Sequence, residues 1–159
     1  DTKVDYLGLP EESQDKTKGG WLRSGDMVHK DENGWYFFDF RKGTELRRFG
    51  DFIQPDFVES IIGRHPDVSE ACVYGIPAAS GSPGESDLVA AIAPFEDSVI
   101  DPASVYQKCK NELQGNFIPS YLHVVKEIPK TITEKALTRV LREMFEKKEG
   151  DIYKYEDFK

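Results

Sequence analysis

The sequence predicts an α+β protein: a small three-stranded sheet with flanking helices, preceded by a β-hairpin that is separate from it. Three observations carry this fold class. Apolar strand patterns at 68–75, 88–95 and 121–125 alternate with helical spacings, giving the order β-α-β-β-α-β-α after residue 43. Upstream, Asp31-Glu32-Asn33-Gly34 joins two apolar runs, and Asn-Gly is a strong hairpin signal. Between hairpin and sheet, residues 41–43 interrupt the apolar pattern and mark a boundary.

Residues 1–19 are polar and read as an exposed lead-in. The hairpin strands fall at 21–29 and 35–40, and a short strand at 46–49 follows the boundary. Pro55 suits the first turn of a helix, whose face is Phe57, Val58, Ile61 and Ile62; Pro66 stops it. Residues 77–87 form a Gly/Ser/Pro loop between the first two sheet strands. Asp101-Pro102 caps a helix running through Val105, Cys109 and Leu113 to Gly115. Thr133 is placed as the N-cap of a last helix bearing Leu137, Val140, Leu141 and Met144, and residues 149–159 are a polar tail with interleaved aromatics.

Composition excludes several classes. The chain has 159 residues and a net charge of −8, which opposes general binding to nucleic-acid phosphates. It contains no apolar run of the roughly 20 residues a transmembrane helix needs, and no signal-peptide pattern. It starts at Asp1 rather than Met, as a fragment or a processed chain would. His29, His65 and His123 are isolated, so no metal site is expected. Cys72 and Cys109 lack ligand spacing and read as buried thiols in a reducing cytoplasm, with a disulfide between them left open.

Three stretches carry possible chemistry, and each has a plain alternative. Leu22-Arg23-Ser24-Gly25-Asp26 offers a carboxylate beside a glycine, suited to vicinal hydroxyls, but also reads as a surface turn. In residues 41–59, Arg41, Arg47 and Arg48 can hold an anion, and Gly50 allows close backbone approach; a basic connector is the alternative. Lys135, near a helix start, can meet a phosphate or carboxylate as a point charge, or be a solvated lysine. Gly81-Ser82-Pro83-Gly84-Glu85-Ser86 lacks the Lys-Ser/Thr ending of a phosphate loop.

In order and spacing, the three stretches together resemble the tail of the acyl-CoA synthetase, luciferase and peptide-synthetase adenylation superfamily, over about residues 19–145. Leu22 to Asp26 is similar to its Tyr/Leu-Arg-Thr/Ser-Gly-Asp motif, and Phe40-Arg41-Lys42-Gly43 to its hinge. The run from Leu46 through Pro55 to Glu59 is similar to its Ile-Lys-x-x-Gly stretch, and His65-Pro66-Asp67-Val68, Val73-Tyr74-Gly75-Ile76-Pro77 and Pro129-Lys130-Thr131 lead to the terminal lysine. Phe117-Ile118-Pro119-Ser120-Tyr121-Leu122 resembles the crotonobetaine/carnitine-CoA ligase branch.

The resemblance implies an AMP-forming acid–thiol ligase acting in the cytoplasm, with ATP, CoA and Mg2+ bound mainly by a large N-terminal domain. Residues 1–40 would be that domain's last hairpin, 41–43 the hinge, 44–148 a mobile C-terminal lid and 149–159 a tail. Asp26 and Arg41 would bind the nucleotide, Lys135 would serve adenylation, Gly43 would be the hinge, and Arg47 and Gly50 would face CoA in the thioester step. The partners implied are the chain's own N-terminal domain, a small carboxylic acid and CoA, and the isolated chain would be inactive. A peptide-synthetase lid, which a following carrier domain would accompany, and a non-catalytic interaction module are the alternatives. Departures from the pattern are Gly43 where Asp or Lys is usual, Phe49 for Arg, and Glu134 for Gly.

Overall fold

The computed structural model describes Thr17, residues 21–41 and residues 46–159, with side chains described up to Phe38 and again from Leu46. The chain divides into two compact units, Asp1–Thr44 and Glu45–Lys159.

In the first unit, β1 (Asp26–Lys30) pairs antiparallel with β2 (Tyr36–Arg41), with a bulge between Met27 and Val28. The Asp31 N–H donates to the Trp35 carbonyl at 3.0 Å and Gly34 N–H to the Asp31 carbonyl at 3.1 Å. Asp31 Oδ1 accepts from Trp35 N–H at 2.8 Å. Gly34 takes a φ of 90° while Asn33 stays in the ordinary region. The loop is therefore a type I turn closed by a glycine bulge, not a two-residue Asn-Gly turn. Trp35, Tyr36, Phe37 and Phe38 are all exposed, so successive residues leave aromatic surface on both faces of the ribbon. A two-stranded ribbon alone is marginal in water.

The second unit opens with a tight hairpin of β3 (Leu46–Arg48) and β4 (Asp51–Ile53). Helix α1 (Pro55–Ile62) starts on Pro55 and buries Val58, Ile61 and Ile62. Phe57, expected on that buried face, is exposed and meets Phe117 edge-on at 6.1 Å. Then come β5 (Val68–Pro77), β6 (Ser86–Pro94), α2 (Pro102–Glu112), a 3-10 turn at Gly115–Phe117, β7 (Tyr121–Val124), α3 (Thr138–Glu146), β8 (Asp151–Lys154) and a 3-10 turn at Tyr155–Phe158. Asp101 caps α2 as expected, its Oδ1 accepting from Ala103 N–H at 3.0 Å.

The α+β class holds, but the sheet has four strands in the order β5-β6-β7-β8, not three. The pairs β5/β6 and β7/β8 are antiparallel, while β6/β7 is parallel and is connected through α2. The fourth strand comes from the stretch read as a tail. Its polar letters hide an alternation in which Tyr153, Tyr155 and Phe158 pack against the core. Tyr106, fully buried on α2, donates to the Tyr153 carbonyl at 3.0 Å. His123, also fully buried, donates from Nε2 to the Glu149 carbonyl at 2.7 Å. Gly150 lets the chain turn into β8: φ is 85°, and a Cβ there would run into the Val124 carbonyl.

The core has two layers. Leu88, Ala90 and Ile92 of β6 face α1 and α2 with Tyr106 and Leu122. Their neighbours Val89, Ala91 and Ala93 face the other side with Tyr74, Val125, Ile128 and Leu141 of α3. The two free cysteines are buried on opposite sides of this sheet, Cys109 in the first layer and Cys72 in the second. Burial pushes both thiols up to about 12.

Two outcomes follow from this packing. Ending the chain after Gly150 strips β8 from β7 and bares Tyr106, and urea unfolding should lose at least about 3 kcal/mol; an unchanged midpoint would return the segment to a passive tail. Glu59 on α1 accepts from Val73 N–H at 2.7 Å. Burial raises its pKa above 4.5, against the lowering effect of that bond. A raised folded-state value favours the protonated form, so the contribution of Glu59 to stability is fully present below pH 4.5 and is lost as pH rises through the folded value. Glu59→Gln should flatten that decline in urea midpoints taken from roughly pH 4 to 7; parallel curves would refute the assignment.

Candidate functional site

Asp26 is the first residue of β1 and Arg41 the last of β2, and the register sets them directly opposite each other. Gly25, with a φ of 90°, delivers the chain into the strand, and Asp26 N–H donates to Ser24 Oγ at 3.1 Å. The Arg41 side chain and Gly43 lie outside the described residues.

Arg47 and Gly50 sit on the β3–β4 hairpin. Leu46 pairs with Ile53, Arg47 with Phe52 and Arg48 with Asp51, leaving Phe49-Gly50 as a two-residue turn. Both turn residues have positive φ, 50° at Phe49 and 86° at Gly50, as a type I′ turn requires. Gly50 accepts this freely. Phe49 does so at a steric cost of roughly 1–2 kcal/mol, with its ring 71% exposed and the Arg48 guanidinium 5.4 Å from its centre. Alternation across the strand separates the two arginines. Arg47 points outward and pairs through Nε with Glu85 Oε1 at 3.2 Å. Arg48 is 9% exposed and donates through Nη1 to the carbonyls of Asn116, at 3.2 Å, and Ile118. Burial lowers its pKa, with Asp87 pulling the other way. Arg48 was grouped with Arg41 and Arg47 as able to hold an anion; it is instead the peg that fastens the hairpin. Its burial was readable in the alternation, since Leu46 two residues before faces the same core. Around the hairpin, Arg47, Phe49, Ser80, Ser82, Pro83 and Asp87 line a groove of about 500 Å3.

Lys135 lies in a loop and not in the first turn of a helix, because α3 begins only at Thr138. Thr133, expected as that helix's N-cap, spends its hydroxyl within the loop, on Thr131 Oγ1 at 3.0 Å. Thr131 N–H donates to the Lys135 carbonyl at 2.9 Å, Glu134 N–H to the Thr131 carbonyl at 3.0 Å, and Leu137 N–H to the Pro129 carbonyl at 2.8 Å. Lys135 N–H donates to Thr131 Oγ1 at 3.2 Å. This bond pattern repeats that of the Asp31–Trp35 turn, residue for residue. Glu134 occupies the bulge position that Gly34 fills there, with a φ of 60°. A turn that asks for a left-handed residue explains why Gly at position 134 would be the unstrained choice.

The Glu134 carboxylate does not pair with Lys135. Lys130 Nζ binds it at 3.3 Å and also binds Glu70 of β5 at 2.7 Å. These bonds, led by that to Glu70, raise the Lys130 pKa above its ordinary value. Lys135 is exposed, and among the described residues its ammonium has no ion pair. The i, i+4 spacing of Lys130 and Glu134 was the available signal for this network; Glu70, sixty residues away, left none.

The two loops attach at opposite ends of β5. The Lys135 loop is anchored at Glu70, while Arg47 meets Glu85 where Ser86 pairs with Pro77. Seven residues of strand separate these anchors, about 20 Å at the usual rise. Among the described residues no three His, Cys, Asp or Glu side chains gather as metal ligands. No helix among them is long and apolar enough to cross a membrane.

The profile of the AMP-binding enzyme C-terminal domain matches residues 57–135. The probable CoA ligase CCL9 of Humulus lupulus is 30% identical over 140 residues, covering 88% of this chain and 26% of that protein. Crotonobetaine/carnitine–CoA ligase of Escherichia fergusonii is 26% identical over 123 residues, covering 77% of this chain and 23% of that protein. Among solved structures, the anthranilate CoA ligase AuaEII in complex with anthranoyl-AMP superposes with a TM-score of 0.74 at 28% identity, covering 88% of this chain and 27% of that one. The chain thus spans about a quarter of the length of the relatives it matches.

The adjacent arginines should behave oppositely. Arg48→Ala strands the buried Ile118 carbonyl and the half-buried Asn116 carbonyl and should cost about 2–4 kcal/mol in chemical unfolding. Arg47→Ala removes only an exposed ion pair and should cost under about 1 kcal/mol. Equal costs would contradict the inward and outward placement.

Proposed function

Because the chain belongs to the adenylate-forming enzymes, matching the AMP-binding enzyme C-terminal domain over residues 57–135, we propose that it is the lid of an AMP-forming acid–thiol ligase. The observation that carries this is the spacing of the two loops. One sheet anchors at one end of β5 the loop of a lysine that has no ion pair among the described residues, and at the other end a glycine-tipped hairpin, the two anchors about 20 Å apart by strand rise. A single active site cannot receive both at once, whereas a lid that rotates can present each in turn.

In the first half-reaction a substrate carboxylate oxygen attacks the α-phosphorus of ATP and pyrophosphate leaves. Lys135 supplies positive charge to the carboxylate and α-phosphate oxygens as negative charge concentrates there. Its freedom from ion pairs among the described residues supports that role, since a neutralised ammonium would offer little field. In the second half-reaction the CoA thiol attacks the acyl carbon and AMP leaves. The hairpin then faces the site, where Gly50, lacking a side chain, admits the pantetheine arm, and Arg47 exchanges Glu85 for an anionic group of CoA. Asp26 and Arg41, opposite each other in the ribbon, would hold the ribose, and residues 41–43 with Gly43 would be the hinge between residues 1–40 and the lid from 44 onward. The exposed aromatics of that ribbon support its being the edge of a larger N-terminal domain, which would bring the acid pocket and most of the ATP contacts. On this proposal the isolated chain is inactive.

In the full-length protein, Lys135→Ala should slow adenylate formation by roughly 100- to 1,000-fold, measured by pyrophosphate exchange. Conversion of supplied acyl-adenylate and CoA to thioester should change far less. Adenylation that survives the substitution would leave a non-catalytic module as the better description.

A further inference from the structure

The structure assigns Lys130 a positioning role: it sequesters the Glu134 carboxylate so that Lys135, the next residue, keeps an unpaired charge. This inference rests on the adenylation role proposed for Lys135.

The turn residue next to Lys135 is an acid held at a φ of 60°. Its side chain is 80% exposed, and among the described residues Lys130 at 3.3 Å is the one charged partner that fixes where that carboxylate lies. Lys130 stands opposite Ala136 across the base of the same loop. Its ammonium is pinned from the other side by Glu70 on β5 at 2.7 Å. Three points are joined by one cation: the sheet, the base of the loop and its tip. Without Lys130, Glu134 is the carboxylate nearest in sequence to Lys135, and a flexible lysine one residue away would close on it. The acid would then compete directly with the substrate carboxylate and phosphate that Lys135 is to meet. Glu70 completes the device by fixing Lys130, which keeps it from swinging toward the incoming anion.

The charges decide the test. Lys130→Gln in the full-length protein should slow adenylation about tenfold and leave conversion of preformed acyl-adenylate to thioester unaffected. Lys130→Arg, which keeps both ion pairs, should keep adenylation near the parent rate. The informative variant is the pair Lys130→Gln with Glu134→Gln, which removes the released carboxylate and should restore adenylation to within about threefold of the parent. Thermal unfolding of each variant checks the fold. The proposal is overturned if Lys130→Gln adenylates normally, if both half-reactions fall together, or if the double variant is no faster than Lys130→Gln alone. A failure here with Lys135→Ala still inactive in adenylation would reject the sequestering role alone; normal adenylation by Lys135→Ala would reject the reading beneath it.

Discussion

Strand β6 is the constraint on which the rest of the second unit depends. Leu88 through Ala93 are buried without interruption, alternate residues feeding the two core layers. A strand buried on both faces must satisfy its backbone on both edges, and β6 does so with β5 on one side and β7 on the other. The parallel pairing with β7 demands a crossover, which α2 supplies. Once β6 is central, β5 runs along its edge at fixed register, and the two ends of β5 become the two places where the Lys135 loop and the β3–β4 hairpin are anchored.

Both loops use the same local logic, a tight turn with a residue forced into the left-handed region. At the β3–β4 hairpin the strain falls on Phe49 and the freedom on Gly50. At the Lys135 loop it falls on Glu134, where the otherwise matching Asp31–Trp35 turn has Gly34. Strain of roughly 1–2 kcal/mol at each position persists only because the surroundings over-determine the turn. Arg48 holds one turn from beneath through backbone carbonyls, and Lys130 holds the other through carboxylates. Each loop thus pairs a buried or pinned cation that fixes it with an exposed cation, Arg47 or Lys135, that is presented outward.

Much of this was legible in the residues. The α1 and α2 helices declared themselves through Pro55 and Asp101-Pro102, and β5 and β6 through runs too apolar to be exposed. The fourth strand was hidden because residues 151–154 are half polar, and their burial depends on Tyr106 and His123 being in place to receive them. The start of α3 was misplaced because Thr133 has the chemistry of an N-cap; its hydroxyl instead meets Thr131 Oγ1 at 3.0 Å within the loop.

The local code settled which residues carry charge and where glycine frees the chain: Lys135 near a helix start, Gly50 beside the basic run, Asp26 after Gly25. These depend on neighbours a few residues apart, where propensity and steric exclusion act directly. The partners of those charges were settled by folding. Arg48 is a peg and Arg47 a presented cation because one faces the core, and Glu134 belongs to Lys130 because β5 brings Glu70 to the same ammonium. Contacts spanning sixty residues have no periodicity to announce them, since they arise only when packing of the sheet fixes the distances over which electrostatic pairing operates.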